Sequence, residues 1–213
     1  MAHERIAGLY EENAAAWDEQ RGRDLFEKPW LDRFLAGLRE QPTFLDVGCG
    51  MGEPIARYLI ARGARVTGLD SSPSLIALCR ERFPGQEWIV GDMRELALVR
   101  TFHGVIAWHS SFHLCPDDQR ALIPRLASHV APGGHLIFTT GEEAGVRVGE
   151  WIGEPLYHAS LAPEEYRALL GGSGFELVDC RLCDPECGGA SVWLSRRAAP
   201  EQQSGAGAAA IEA

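Results

Sequence analysis

The sequence predicts an α/β fold in which helices cover both faces of a mostly parallel sheet. Short apolar runs with Gly, Pro or acidic residues at their boundaries recur along the chain, which is typical of buried strands. Five of these runs lie at 43–47, 65–69, 87–90, 104–108 and 135–138. Helical segments separate them, and strands that alternate with helices in this way form βαβ units with parallel strands.

Proline marks the start of three predicted helices. Pro54, Pro73 and Pro116 each precede or open an apolar segment of helical length. Proline suits the first turn of a helix, because the amide hydrogen that it lacks would be unpaired there in any case. Pro124 lies inside the third helix, and we expect it to kink or shorten that helix.

The remaining segments complete one predicted domain over residues 1–197. In chain order they are helical pieces at 6–20 and 29–39, a Gly- and Glu-rich stretch at 141–160, a helix at 163–170, and strands near 175–181 and 190–195. We predict that 1–40 forms a helical cap, that 42–195 forms the sheet core, and that 141–160 is an insert that adds to the cap. The Ala- and Gly-rich tail at 198–213 lacks periodicity and predicts disorder.

Composition and charge exclude several classes of protein. The chain has 213 residues and a formal net charge of −10, whereas a protein that binds nucleic acid electrostatically needs a basic patch. No apolar stretch approaches the ~20 residues that cross a membrane, and charges occupy the first residues where a secretory signal is apolar. Six scattered cysteines then favour free thiols in a reducing compartment, so we expect a cytoplasmic location.

The strongest local signal is the segment DVGCGMG at 46–52, on a predicted turn from strand to helix. Glycines there allow the backbone to approach a ligand closely. The second strand ends in Asp70, where a carboxylate can accept both hydroxyls of a ribose. Asp92 and Met93 follow the third strand, where they can bracket an adenine ring. Because the carboxyl ends of parallel strands form one crevice, these residues predict a nucleotide site.

The glycine spacing distinguishes between nucleotides. Dinucleotide-binding turns have the pattern G-x-G-x-x-G, whereas this chain has G-x-G-x-G with Asp46 two residues before the first glycine. A pyrophosphate would be repelled by that carboxylate, and an ammonium group would be attracted. The pattern favours an adenosine cofactor with an amino-acid tail, and an NAD-dependent oxidoreductase is the alternative.

Together with GLDSSPSLI at 68–76, GVIAWHSSFHL at 104–114 and APGGHLIF at 131–138, these motifs resemble class I S-adenosylmethionine-dependent methyltransferases, specifically the branch that acts on small molecules. The resemblance covers about residues 10–195. It implies a Rossmann-like, doubly wound sheet of seven strands, in which the last strand is antiparallel and lies between the fifth and sixth. It also implies an N-terminal helical cap that closes over the cofactor.

The same resemblance implies S-adenosyl-L-methionine as the cofactor and assigns residues to it. The predicted cofactor-binding set is Tyr10, Trp17, Arg21, Asp46, Gly48, Cys49, Gly50, Asp70, Ser71, Asp92, Met93 and Trp108. Within this set, Asp46 and the glycines match the methionine end, and Asp70 matches the ribose. Trp17 could instead form the apolar face of a helix, and Arg21 could be a solvated charge.

The activity that the resemblance implies is in-line methyl transfer to O, N, S or C of a small acceptor. Alignment is the main requirement, and a general base adds roughly 10²–10⁴-fold where the acceptor arrives protonated. His109 and His113 follow the fourth strand and are the predicted catalytic residues, and Tyr157 and His158 are predicted to line the substrate pocket. Each histidine could instead be structural. A protein that binds the cofactor without transferring methyl is a further alternative.

Two kinds of partner are disfavoured by residue patterns. The fourth strand is followed by His109-Ser110-Ser111-Phe112, which lacks the Asn/Asp-Pro-Pro-aromatic motif of enzymes that methylate amino groups in DNA. Cys180, Cys183 and Cys187 could supply three thiolates to a metal, yet their spacing is not a paired CxxC set. We therefore predict no metal, no nucleic acid and no membrane partner, and the sequence does not indicate an oligomeric state.

Overall fold

Seven strands form one sheet within residues 2–199, the part of the chain that the computed structural model describes. In chain order the helices and strands are α1 (Ile6–Glu12), α2 (Ala14–Gln20), α3 (Lys28–Leu35), β1 (Thr43–Val47), α4 (Ile55–Ala61), β2 (Arg65–Asp70), α5 (Pro73–Arg82), β3 (Glu87–Val90), β4 (Phe102–Ala107), α6 (Pro116–Ser128), β5 (Val130–Thr140), β6 (Gly145–Trp151), β7 (Glu154–Ser160), α7 (Pro163–Gly172), β8 (Phe175–Asp184) and β9 (Ala190–Arg197). Short 3₁₀ turns occur at Ala2–Arg5, Met93–Glu95, Ser111–His113 and Pro185–Cys187. The predicted tail beyond residue 199 lies outside the described residues.

The strand order is β3-β2-β1-β4-β5-β9-β8, which confirms the predicted fold class. β1 pairs in parallel with β2 and β4, and β9 pairs antiparallel with both β5 and β8. β1 therefore lies next to the position where the chain changes direction across the sheet. In open α/β sheets the ligand crevice forms at this position, beyond the carboxyl ends of the strands.

The alternation of side chains along β1 divides the core into two layers. Phe44 faces one layer, where its ring lies 5.2 Å from that of Phe34 in α3, and Leu45 faces the other layer with Leu126 of α6. Gly104 of β4 lies beneath the first layer, and a Cβ at this position would stand 2.3 Å from the ring of Phe34. The glycine is thus required so that α3 can pack closely on the sheet.

The N-terminal helices differ from the prediction. The piece expected at 6–20 is divided into α1 and α2 at Asn13, whose backbone has φ −121° and whose side-chain amide donates to the carbonyl of Leu9 at 2.9 Å. The piece expected at 29–39 ends at Leu35, because Ala36 is extended and Gly37 has φ +75°. A polar side chain that bonds to the local backbone competes with the helix, which explains the break at Asn13.

The Gly- and Glu-rich stretch forms a hairpin of β6 and β7, apart from the main sheet. Ile152 and Gly153 connect the strands with φ +51° and +82°, as a type I′ turn requires. α6 continues past Pro124 to Ser128, so of the two expected effects, a kink or a shortening, the shortening does not occur. The strands predicted near 175–181 and 190–195 are confirmed as β8 and β9, each slightly longer.

Residues 2–199 contain no helix that combines the length and apolarity needed to cross a membrane.

The cysteines are all free. Cys180 and Cys183 lie on β8, Cys187 lies on the following 3₁₀ turn, and burial raises the pKa of Cys187 to about 12. Within the described range, no three His, Cys, Asp or Glu side chains are grouped as metal ligands.

Candidate functional site

A cavity of about 430 Å³ lies beyond the carboxyl ends of β1, β2 and β4. All twelve residues of the predicted cofactor-binding set line it, as do His109, His113 and His158. The N-terminal helices and the β6–β7 hairpin contribute further residues to its wall. Strand ends that are far apart in the chain are thus brought to one place, as the parallel topology requires.

The glycine turn after β1 is tied to the neighbouring strand. The amides of Gly48 and Cys49 both donate to the carbonyl of Leu69, at 2.7 and 3.2 Å. Gly48 has φ +75°, and a Cβ there would stand 2.3 Å from the Cβ of Ser110. Any side chain at this position would therefore displace the loop after β4 and distort the cavity.

Asp70 connects the glycine turn to the start of α5. Its two carboxyl oxygens accept the amides of Gly50 at 2.8 Å and of Ser72 at 2.9 Å. Burial raises the pKa of Asp70 even though these amides favour its ionised form. A carboxylate has about four acceptor positions, so these backbone amides do not use all of them.

Asp46 is a second buried carboxyl group at the cavity, with 4% of its surface exposed. Burial, followed by repulsion from Asp70, raises its pKa to about 7. Two carboxyl groups that share a buried site favour a cationic ligand, which would lower the energy of both ionised forms.

The predicted adenine residues lie at the start of the 3₁₀ turn after β3, where Asp92 precedes the turn and Met93 begins it. Asp92 accepts the amide of Arg94 at 2.8 Å and its guanidinium through both oxygens, and this pairing lowers the pKa of Asp92. The methyl carbon of Met93 would stand 3.3 Å from a Cβ at Gly48. Asp92 is thus held by its own turn, with Met93 against the glycine loop.

Two acidic residues that sequence reasoning missed anchor the N-terminal helices on α5. Glu11 accepts the hydroxyl of Ser72 at 2.5 Å and the amide of Ser74 at 3.0 Å. Asp18 forms a two-pronged ion pair with Arg82, at 2.7 and 2.6 Å. In the sequence these carboxylates are indistinguishable from other solvated charges on a helix.

Three aromatic rings close the cavity on the side of the cap. Trp151, on the hairpin, stacks on Tyr10 with ring centroids 5.2 Å apart and meets Trp17 edge-on at 5.6 Å. The indole nitrogen of Trp151 also donates to the side-chain oxygen of Gln20 at 3.0 Å. Sequence reasoning missed Trp151, although an aromatic residue within a Gly- and Glu-rich stretch was a signal that could have identified it.

His113 has partners at both ring nitrogens. Nδ1 lies 2.8 Å from the carbonyl oxygen of Tyr157, and Nε2 lies 3.2 Å from the hydroxyl of Tyr10. A carbonyl oxygen only accepts, so Nδ1 carries the proton and the hydroxyl of Tyr10 donates to Nε2. Burial lowers the pKa of His113 to about 4, in agreement with this neutral form.

His109 adopts a left-handed backbone conformation with φ +48°, and its amide donates to the hydroxyl of Thr139 at 2.8 Å. Burial, and then the cation of Arg21, lower the pKa of its ring to about 4. Its Nε2 is buried and has no hydrogen-bond partner among the described residues. Strained residues of this kind cluster at functional sites. The catalytic role of His109 stays a prediction, and its strained backbone supports it.

Arg21 is held by a buried glutamate that sequence reasoning also missed. One guanidinium nitrogen lies 2.8 Å from Oε1 of Glu27, whose side chain is completely buried. Burial raises the pKa of Glu27, against the opposing effect of Arg21. The guanidinium carbon lies 5.8 Å from the ring centroid of Phe26, at the rim of the cavity.

The two predicted substrate residues, Tyr157 and His158, face opposite sides of β7. His158 lines the cavity, whereas Tyr157 is not among the lining residues and packs with Ile6 and Ala159. Successive side chains of a strand face opposite sides, so neighbouring residues cannot both face the cavity. Tyr157 contacts the site through its backbone carbonyl, which binds His113.

Comparison with known proteins identifies the family. A family model described as "Methyltransferase domain" matches residues 44–134. The chain is 30% identical to malonyl-[acyl-carrier protein] O-methyltransferase of Serratia marcescens over 184 residues, which cover 83% of this chain and 68% of the relative. The chain belongs to the S-adenosylmethionine-dependent methyltransferase family. The resemblance read from its motifs is thereby confirmed.

Further comparisons show how much of its relatives the chain covers. It is 32% identical to trans-aconitate 2-methyltransferase of Azoarcus sp. (strain BH72) over 56% of this chain and 49% of that protein. The next two curated relatives are matched over 38% and 39% of their length, so the chain spans less than half of these three proteins. The fold is similar to that of Burkholderia thailandensis 1,6-didemethyltoxoflavin-N1-methyltransferase, with TM-score 0.69 and 21% identity over 93% of this chain and 91% of that chain.

Proposed function

We propose that this protein transfers a methyl group from S-adenosyl-L-methionine to a small-molecule acceptor. The observation that carries the proposal is Asp70, which accepts the amides of Gly50 and Ser72 and lines the cavity. Together with the buried carboxyl group of Asp46, it suits a cationic nucleoside with an amino-acid tail. A pyrophosphate would be repelled by both carboxylates, which disfavours NAD.

The residues present fit this cofactor by their chemistry. Asp46 and the glycine turn would hold the methionine end, Asp70 the ribose, and Asp92 with Met93 the adenine. When bound, the cofactor supplies a methyl group activated by a sulfonium. Tyr10, Trp17 and Trp151 line the cavity and pack on one another, which would keep water from the sulfonium. Alignment alone can lower the barrier by up to ~7–11 kcal/mol.

The acceptor is proposed to lie beside the loop after β4, near His109 and His158. His109 is uncharged at neutral pH, so its ring can accept a hydrogen bond from the acceptor. His113 is not available to the acceptor in the same way, because its two ring nitrogens already bind Tyr10 and Tyr157. We propose that His113 positions the N-terminal helices through Tyr10.

We also propose that the protein acts in the cytoplasm, where its free thiols remain reduced.

Calorimetric titration with S-adenosylmethionine and S-adenosylhomocysteine tests the proposal. We expect both to bind, and Asp70→Asn to weaken binding by about tenfold or more, because a hydrogen bond to a charged group contributes about 1.5–3 kcal/mol. Asp117→Asn is the matched control, since that side chain is 92% exposed on α6. Folded protein that binds neither compound would disprove the proposal, and binding without transfer to any acceptor would favour a cofactor-binding protein that is not an enzyme.

A further inference from the structure

Part of the cavity wall is a continuous set of aromatic rings, here called the ring wall. Its members are Phe26, Trp108, His109, Phe112, His113 and His158. Phe26, Phe112 and His158 are partly exposed or half-buried, so their rings are open to a ligand. The cofactor assignment uses Trp108 alone among the six, and the other rings have no role in it.

The rings of the wall contact one another in sequence. Ring centroids are 6.3 Å apart between Phe26 and His109, and 5.7 Å between His109 and Phe112. They are 5.2 Å apart between Phe112 and His158, and 4.8 Å between His158 and His113. Most of these contacts are edge-on or tilted. Planar π-faces bind flat aromatic ligands more favourably than their buried area alone provides.

The charges beside the ring wall restrict the charge of the ligand. Burial lowers the pKa of His109 and His113 to about 4 and also lowers that of His158, so the imidazoles are uncharged at neutral pH. Arg21 brings a cation beside Phe26, and although one of its guanidinium nitrogens binds Glu27, its charge still helps to lower the pKa of His109 in the ring wall. A cationic ligand would meet the like charge of Arg21, whereas a neutral or anionic ligand would not.

We propose that the ring wall selects a planar aromatic acceptor that is neutral or anionic, and that it rejects aliphatic and cationic acceptors. This inference rests on the proposed function, since it treats the ring wall as the acceptor side of the same site. Phe112 is the central specificity-determining residue, because its ring contacts three members of the wall: His109, His113 and His158.

Three probes of similar size test the inference on the 213-residue chain saturated with S-adenosylhomocysteine. Benzoate and cyclohexanecarboxylate share their charge and differ in planarity, and benzoate and benzylamine share their ring and differ in charge. Ligand-observed NMR titration is expected to show benzoate binding roughly threefold to tenfold more tightly than cyclohexanecarboxylate, as aromatic contacts of this kind predict. Benzylamine is expected to bind more weakly than benzoate.

Variants assign the preference to the ring wall. Phe112→Leu and, independently, His158→Leu should remove the difference between benzoate and cyclohexanecarboxylate. Phe175→Leu, which removes a buried ring at the start of β8, should leave it unchanged. Equal binding of the two carboxylates, tighter binding of benzylamine, or no benzoate binding at millimolar concentration would overturn the inference. Failure of S-adenosylhomocysteine itself to bind would instead overturn the proposed function.

Discussion

The hydroxyl of Tyr10 lies 3.2 Å from Nε2 of His113, 103 positions further along the chain, and joins the N-terminal cap to the loop after β4. Tyr10 lies between this histidine and Trp151, so one side chain holds together the cap, the sheet and the hairpin. Burial, and then the charge of Asp70, raise the pKa of Tyr10 well above its usual value, so its hydroxyl stays protonated and remains a donor.

Tyr10→Phe should therefore loosen the cap without emptying the space that the ring occupies. A neutral hydrogen bond contributes about 0.5–1.5 kcal/mol, so we expect the affinity for S-adenosylhomocysteine to fall roughly twofold to tenfold in calorimetry. Tyr58→Phe is the control, because it also removes a hydroxyl that donates to a neighbour, Asp32, but lies on α4 outside the cavity. Equal effects of the two substitutions would argue against a role of the Tyr10–His113 hydrogen bond in cofactor binding.

Asp46 should make cofactor binding depend on pH. Its pKa is about 7 in the folded protein, so a growing fraction is protonated below neutrality and cannot attract an ammonium group. The affinity for S-adenosylhomocysteine should rise with pH up to about 7, by at most tenfold per pH unit, and then level off. Calorimetry across this range measures the slope, which Asp46→Asn should flatten.

The carboxyl group of Asp46 should make folding stability fall with rising pH, opposite to its effect on cofactor affinity. The pKa of Asp46 is raised on folding from about 3.8, so the folded chain binds more protons than the unfolded chain between these values. Stability without cofactor should therefore fall as pH rises from about 4 to 7, by up to about 1.4 kcal/mol per pH unit. Urea unfolding of the wild type and of Asp46→Asn separates this effect from other groups, and a parallel pH profile in the two would contradict it.

Trp151→Ala should release the hairpin from the cap, because it removes the stack on Tyr10, the contact with Trp17 and the bond to Gln20. Aromatic pairs contribute about 0.5–1.5 kcal/mol beyond the area that they bury. We expect faster hydrogen exchange in residues 145–160 and at least threefold weaker cofactor binding. Val148→Ala changes an exposed residue of the same strand and should alter neither measurement.

Arg21 and Glu27 should be energetically coupled. Their ion pair is largely buried, and removing one partner leaves the other charge without compensation. A double-mutant cycle with Arg21→Gln and Glu27→Gln, followed by urea unfolding, should give a coupling energy of about 1–3 kcal/mol. Additive effects of the two substitutions would mean that Glu27 does not hold Arg21 in place.

The sequence by itself determined the sheet and the convergence of the predicted cofactor residues. Buried parallel strands are visible as apolar runs, and the residue after each strand lies at the same edge of the sheet. DVGCGMG at 46–52, Asp70 and Asp92 could therefore be brought together without any tertiary contact being known. The local rules of strand ends and glycine turns carry that information within a few residues.

Only the tertiary structure decided how the cavity is closed and which aromatic rings line it. The contacts of Tyr10 with His113 and of Trp151 with Gln20 join residues more than 100 positions apart, and no local pattern specifies them. The side of β7 that faces the cavity depends on how the hairpin docks, which is why Tyr157 and His158 separated. Burial, which sets the pKa values of Asp46 and the histidines, is likewise a property of the packed chain, because desolvation depends on every element that surrounds a group.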